Sequence, residues 1–309
     1  MSNFTRKIIN IENLISKFEE NDFLKEAKKR IISNKVMLTF RNKEATLYFK
    51  GRQLCNMKEN KNFEPLVYGK YLPIIRSIES DNTKESDNEK CYSENEYREK
   101  LSEKIQCNAK IKFTDVLPEI YDYLDFESDK EASFAAELYK FSPFNTDKII
   151  LLDIEAAFAE SGESTDRIDL VFYHTEEKRL LFIELKRLKD KRFKDIENNV
   201  NNEVIEQMKR YKARIENEKD LINQQYNNVI DYFNKFCNKN IPHIENKTPL
   251  LALLVTKYNK AEERSEKMKS IKQLCEENNI VFLSIGKTKK ASENTLEDKW
   301  FKEALKAEK

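Results

Sequence analysis

Apolar side chains recur along this chain in two rhythms, and the changes of rhythm mark its organisation. Over residues 5–34, Ile8, Ile9, Ile11, Leu14, Ile15 and Phe18 fall at helical spacing. Residues 36–57 alternate instead. Val36, Leu38 and Phe40 share one face, and Leu47 and Phe49 follow a turn at Asn42–Lys43, the pattern of a β-hairpin. Residues 79–96 are rich in acids and hold no aliphatic side chain, a composition that buries no core and reads as a linker. Phe113, Val116, Leu117, Ile120 and Leu124 restore a helical stripe over 112–126.

From about residue 128 the pattern becomes regular. Ser128 or Asp129 can cap a helix running to about 141, with Phe134, Leu138 and Phe141 as its stripe. Strands are predicted over 149–158, 167–173 and 179–186, then a long helical region over 195–236. Residues 249–256 are apolar on both faces, as a buried parallel strand requires. A helix over 261–278 and a strand over 280–285 follow. This αβββαβαβ order predicts an antiparallel meander extended by a parallel crossover: an α/β fold with a mixed sheet flanked by helices. The expected organisation is a smaller α+β domain over 1–76, an acidic linker or loop over 77–105, and the larger domain over 106–309.

Composition narrows the chemistry. Of 309 residues 36% are charged, against roughly 25% in an ordinary domain. The longest apolar stretch, 250–255, is far short of the roughly 18 residues of a membrane span. The N-terminal segment has no apolar signal core, so the expectation is a cytoplasmic protein without a membrane partner. Five widely spaced cysteines form neither a disulfide framework nor a CxxC metal site. Two histidines, His174 and His243, exclude HExxH zinc chemistry, and four glycines exclude a glycine-rich phosphate loop. A net charge of +1 supplies no global field to draw in nucleic acid, so any such binding is local. On the predicted hairpin, Arg41, Lys43, Lys50 and Arg52 interleave with Tyr48 and Phe49, for which a solvated charged face is the favoured reading.

The informative segment is 166–186, DRIDLVFYHTEEKRLLFIELK. A hairpin turn centred between Glu176 and Glu177 places Asp169 directly opposite Glu184. Directly opposed residues share a face, with Cβ atoms about 4.5–5.5 Å apart. Period-two alternation adds Lys186 to that face, beside Val171, Tyr173, Leu180 and Phe182. Two carboxylates and an ammonium thus converge at one end of an apolar sheet face. Two acids so close repel, and burial raises the cost of ionising both. A hard divalent cation, Mg²⁺ or Mn²⁺, resolves the conflict through oxygen ligands. It acidifies a bound water, and a neighbouring lysine orients that water or offsets oxyanion charge. The rival reading, a Glu–Lys pair that solubilises a strand end, fits poorly because LLFIELK is apolar on both faces before the charges begin.

Asp169 followed by Glu184-Leu185-Lys186 within an αβββαβ order resembles the PD-(D/E)xK nuclease superfamily, with Ile168 where proline usually precedes the aspartate. Gln207-x3-Tyr211 on the following helix is similar to the RecB-like branch, whose Gln and Tyr line the active site near the substrate backbone. Residues four apart share a helix face, although Val204, Met208, Tyr211 and Ile215 also form a core stripe. The resemblance covers roughly 129–258 and implies a restriction-endonuclease-like fold and metal-dependent hydrolysis of phosphodiester bonds in nucleic acid, DNA rather than RNA. It implies Asp169 and Glu184 as metal ligands and Lys186 as the catalytic base or water-orienting group. The family often adds a carboxylate from the first helix, for which Glu137 is the choice and Glu131 the competitor. Asp153 and Glu155 alternate in phase on the first predicted strand, and Glu155 is favoured as a further ligand. Arg187, Lys189, Lys191, Arg192 and Lys194 leave the active-site end of the strand and could hold phosphates. Two alternatives remain: a nuclease-fold module that binds nucleic acid without cutting, and an effector gated by a regulatory partner, a ligand or a second copy through the N-terminal domain.

Overall fold

The computed structural model describes residues 4–73, 90–105, 112–127, 130–158, 166–193, 202–287 and 289–306. The chain forms two compact units, Arg6–Lys140 and Phe141–Lys309, the latter completed by residues 1–5. Both are α/β assemblies built on a five-stranded sheet.

In the first unit the predicted N-terminal helix is two, α1 (Ile11–Glu20) and α2 (Asp22–Ile32). Asn21 breaks them: its backbone is extended and its side chain accepts from Leu24 N, capping α2. The sheet runs β1 (Val36–Arg41), β2 (Glu44–Phe49), β3 (Arg52–Lys58), β4 (Pro65–Tyr68) and β5 (Cys91–Tyr92), antiparallel throughout. The predicted β1–β2 hairpin closes at Asn42–Lys43 with Arg41 opposite Glu44. Helices α3 (Glu94–Ile105), α4 (Phe113–Glu127) and α5 (Lys130–Glu137) complete the unit.

Two boundaries differ from the expectation. The segment 77–105 is not all linker: Cys91–Tyr92 pairs with β4, and Tyr97 and Leu101 of α3 are buried. Two aromatics and one leucine in an acidic stretch suffice to dock it. The stretch 106–140, assigned from sequence to the second domain, belongs to the first unit. The Phe113 ring lies 5.7 Å from Phe23, and Tyr121 lies 4.6 Å from Phe49. Burying such rings favours the folded state by roughly 1.5–3 kcal/mol each.

The second unit follows the predicted order closely. Its strands are β6 (Ile149–Phe158), β7 (Asp166–His174), β8 (Arg179–Arg187), β9 (Leu250–Thr256) and β10 (Val281–Ile285). They lie in the order β10-β9-β8-β7-β6, antiparallel from β6 to β8 and parallel from β8 to β10. The helical region divides into α6 (Glu203–Asn217) and α7 (Lys219–Cys237), and α8 (Lys260–Glu263) and α9 (Glu266–Glu277) precede β10. A C-terminal helical stretch, Thr295–Phe301 and α10 (Lys302–Lys306), was not foreseen. It packs Trp300 on Phe172 and Phe301 on His174. The other sheet face meets α6 and α7 through Tyr226 on Phe182 and Tyr211 on Phe158. Strand β8 is therefore central and buried on both sides, which explains its unbroken apolar run.

Candidate metal centre on β7 and β8

The register of β7 and β8 runs from His174↔Arg179 to Leu170↔Ile183, as the centred turn requires. One further step sets Asp169 against Glu184, where the regular ladder has ended. Here a side chain takes over from the backbone: Asp169 Oδ2 accepts the Leu185 N–H at 2.6 Å. Asp169 is partly exposed, while Glu184 and Lys186 are each only 2% exposed.

Lys186 Nζ donates to Glu184 Oε1 and to Leu185 O, the latter at 3.0 Å. The other carboxylate oxygen, Glu184 Oε2, is buried and has no hydrogen-bond partner. Burial, then the field of Asp169, pushes the Glu184 carboxyl up to about 8, against the pull of Lys186 and Arg192. Burial also raises Asp169, opposed by Lys186 and the Leu185 N–H and reinforced by Glu155. Burial is the largest cause of both shifts, and Lys186 and Arg192 offset it only in part. A buried carboxylate oxygen without a donor is the feature a cation satisfies, so this donor set fits one hard divalent ion whose remaining positions go to water or substrate oxygens.

The other expected residues fall in different places. On α6, Gln207 Nε2 donates to Tyr211 Oη at 2.6 Å, and Tyr211 Oη donates to Arg167 O at 2.6 Å. The pair shares a helix face and reaches the start of β7, two residues before Asp169, while Tyr211 is also a buried core residue. Glu155 has a left-handed backbone, φ 49°, and its carboxylate lies 3.6 Å from Arg167 Nη1. Asp153 is buried and committed elsewhere, Oδ1 to Ile154 N and Oδ2 to Tyr226 Oη at 3.1 Å. Glu137 corrects the sequence reading: it is exposed rather than in the buried stripe, and lines a cavity of the first unit. The buried stripe runs through Phe134, Ala135 and Leu138, so Glu137, three residues after Phe134, falls beside it rather than in it.

The basic run after β8 is partly neutralised. Lys189 lies 3.0 Å from Glu262, and Arg192 makes two side-chain hydrogen bonds to Asp190, at 3.0 and 2.8 Å. Arg187 is half-buried and Lys191 is exposed, while Lys194 and the Glu131 side chain lie outside the described residues. Arg192 still contributes its positive field to both Asp169 and Glu184. Its clamping by Asp190, two residues away, was a local signal in the sequence that charge counting overlooked.

Among the described residues, the one group of three His, Cys, Asp or Glu side chains close enough to share an ion is elsewhere: His174, Glu176 and Glu297, with ligand atoms within 4.8 Å of one another. Lys148 already supplies its cation, at 3.5 Å from Glu176 and 2.7 Å from Glu297. Glu297 comes from the unforeseen C-terminal stretch, so nothing local in the sequence announces this cluster. No helix of the described residues is long and apolar enough to cross a membrane. Comparison of the chain with protein-family models, with curated proteins and with solved structures finds no match.

Proposed function

We propose that this protein is a metal-dependent nuclease that hydrolyses phosphodiester bonds, with DNA as its substrate, built on a restriction-endonuclease-like domain similar to the RecB-like PD-(D/E)xK branch and working in the cytoplasm. One observation carries the reading. Two carboxylates and an ammonium from neighbouring strands meet at the end of an apolar sheet face, with Glu184 Oε2 buried and unpartnered.

Asp169 and Glu184 would hold Mg²⁺ or Mn²⁺, which when bound supplies Lewis-acid chemistry and an acidified water. Asp169, the more exposed acid, stands on the substrate side, and Glu184 sits behind it. The Leu185 N–H fixes the Asp169 carboxylate, so little reorganisation is needed as charge develops. Lys186 donates to Glu184 and is placed to orient the attacking water or offset charge on the phosphoryl oxygens. Arg192, held by Asp190, adds positive field where a phosphate would sit. Gln207 and Tyr211 anchor α6 to β7 beside Asp169 and position the strand end.

A non-cleaving nucleic-acid-binding module is the second reading. The closed Glu184–Lys186 pair favours it, since both groups are almost fully shielded. An assay of the full chain on circular DNA, linear DNA and RNA, with Mg²⁺, Mn²⁺ or EDTA, separates the two. Cleavage that needs metal and is lost in Lys186→Ala supports the nuclease. Retarded migration without cutting supports the binding module.

A further inference from the structure

The first unit carries a cavity of about 540 Å³, within the roughly 300–1,000 Å³ range of small-molecule sites. Its polar wall is built from α2, the turn after it and the β2–β3 turn, and includes Arg30, Lys35 and Lys50. The Arg30 guanidinium stacks on Tyr121, 3.9 Å from the ring centroid, which fixes the plane of its donor fork. Two polar atoms of this stacked pair, Arg30 Nε and Tyr121 Oη, are buried and make no hydrogen bond. Glu26 Oε1 lies 3.5 Å from Arg30 Nε without meeting hydrogen-bond geometry. Buried donors of this kind are costly to leave unmade, and both belong to residues lining the same space.

Lys50 adds an independent sign. It occupies the first position of the two-residue β2–β3 turn with φ 47°, followed by Gly51 with φ 76°. That position favours Asn, Asp or Gly, because both turn residues need positive φ. A lysine there accepts a backbone conformation that costs it stability, at a residue that lines the cavity.

The rest of the wall sets the ligand's character. Phe49 and Ala136 give it an apolar side, and Asp122 and Glu137 give acceptors. Arg30, Lys35 and Lys50 give three charged donors on one wall, Glu26 lying beside Arg30, and such a set matches the oxygens of a phosphate. The volume far exceeds that of a bare oxyanion, and carboxylates beside an anion site match hydroxyl donors rather than a second negative group. We infer that this cavity binds a small sugar phosphate, free or as part of a nucleotide. Arg30, Lys35 and Lys50 hold the phosphate, Asp122 and Glu137 accept from sugar hydroxyls, and Phe49 and Ala136 pack the carbon skeleton. The inference rests on the first unit alone and does not depend on the nuclease reading.

Calorimetric titration of the full chain with ribose 5-phosphate, adenosine monophosphate and inorganic phosphate tests it, with Lys50→Asn and Arg30→Gln as variants. Asn suits the left-handed turn, so Lys50→Asn should keep or raise Tm while removing one cation. The expected result is binding of ribose 5-phosphate and of adenosine monophosphate, with inorganic phosphate at least about tenfold weaker, and affinity cut by about tenfold or more in each variant. Tighter binding of the nucleotide than of the sugar phosphate assigns the site to nucleotides, and equal binding assigns it to the sugar phosphate itself. Absence of binding by all three at millimolar concentration, equal binding of inorganic phosphate, or affinities unmoved in well-folded Lys50→Asn overturns the inference.

Discussion

Asp169 Oδ2 accepts the backbone N–H of Leu185 at 2.6 Å, one residue beyond the Glu184 it opposes across the strands. The β7–β8 ladder stops at Leu170↔Ile183, and this carboxylate replaces the next rung. The same acid that would grip a metal thus also pins two strands where their regular pairing ends. Replacing it separates the two roles. Asp169→Asn keeps a carbonyl acceptor for Leu185 N but loses the charge. Activity should fall by about two orders of magnitude or more, the scale of a lost electrostatic group in a catalytic site, while Tm stays near that of the parent. A variant that cuts DNA at the parental rate contradicts the role given to Asp169.

The buried pair behind it behaves asymmetrically. Above about pH 8, where Glu184 is ionised, Glu184→Leu leaves Lys186 buried without its carboxylate partner and should destabilise by about 3–5 kcal/mol. The double variant Glu184→Leu with Lys186→Met replaces the ion pair by apolar side chains of similar size and should recover that loss, because desolvating a buried pair offsets most of its attraction. Denaturant unfolding of the three proteins checks this. The double variant should nonetheless be inactive, which marks the pair as functional. If it unfolds as readily as Glu184→Leu, the pair is holding the fold together.

Stability should depend on pH and on metal together. Glu184 has its carboxyl raised from 4.5 to about 8, and Asp169 is raised as well. Between those values the folded protein binds more protons than the unfolded chain, so metal-free stability should fall as pH rises from about 4.5 to about 8 and then level off. A divalent ion competes with the retained proton, so the gain in Tm from Mn²⁺ should grow over the same interval. Thermal melts with Mn²⁺ and with EDTA at several pH values read this directly. A metal-induced shift that shrinks as pH rises would falsify the assignment of these two carboxylates as the ligands.

Tyr211 donates to Arg167 O and accepts from Gln207. Tyr211→Phe should cost about 1 kcal/mol, since the Arg167 carbonyl loses its donor while the buried ring still packs. Gln207→Ala, on a partly exposed position, should cost less in stability and lower kcat/KM for cleavage more than it lowers Tm. Equal effects on both quantities assign Gln207 a purely structural role.

The parts of this site visible in the sequence are those set by alternation. The turn around Glu176–Glu177 and the period of two fixed which β7 residue meets which β8 residue, and the doubly apolar run before Glu184 marked a central strand. Strand β6 was less transparent. Its register shifts between Leu151 and Asp153, and Glu155 has a left-handed backbone, so counting by twos could not tell which acid is taken by Tyr226 and which by Arg167. Helical phase alone misplaced Glu137, because residues three apart lie about 60° apart around a helix and the buried stripe runs through Phe134, Ala135 and Leu138. The boundary between the units escaped because Phe113 and Tyr121 look alike in sequence whichever core they join.

The central claim is that Asp169, Glu184 and Lys186 act together on a phosphodiester through a bound divalent ion. Cleavage of linear and circular DNA by the parent and by Lys186→Met, each with Mg²⁺ or Mn²⁺ and each with EDTA, tests it most directly. Metal-dependent cutting by the parent alone, with both proteins equally folded by circular dichroism, is the result expected. Cutting that survives EDTA, or that persists undiminished in Lys186→Met, contradicts the account.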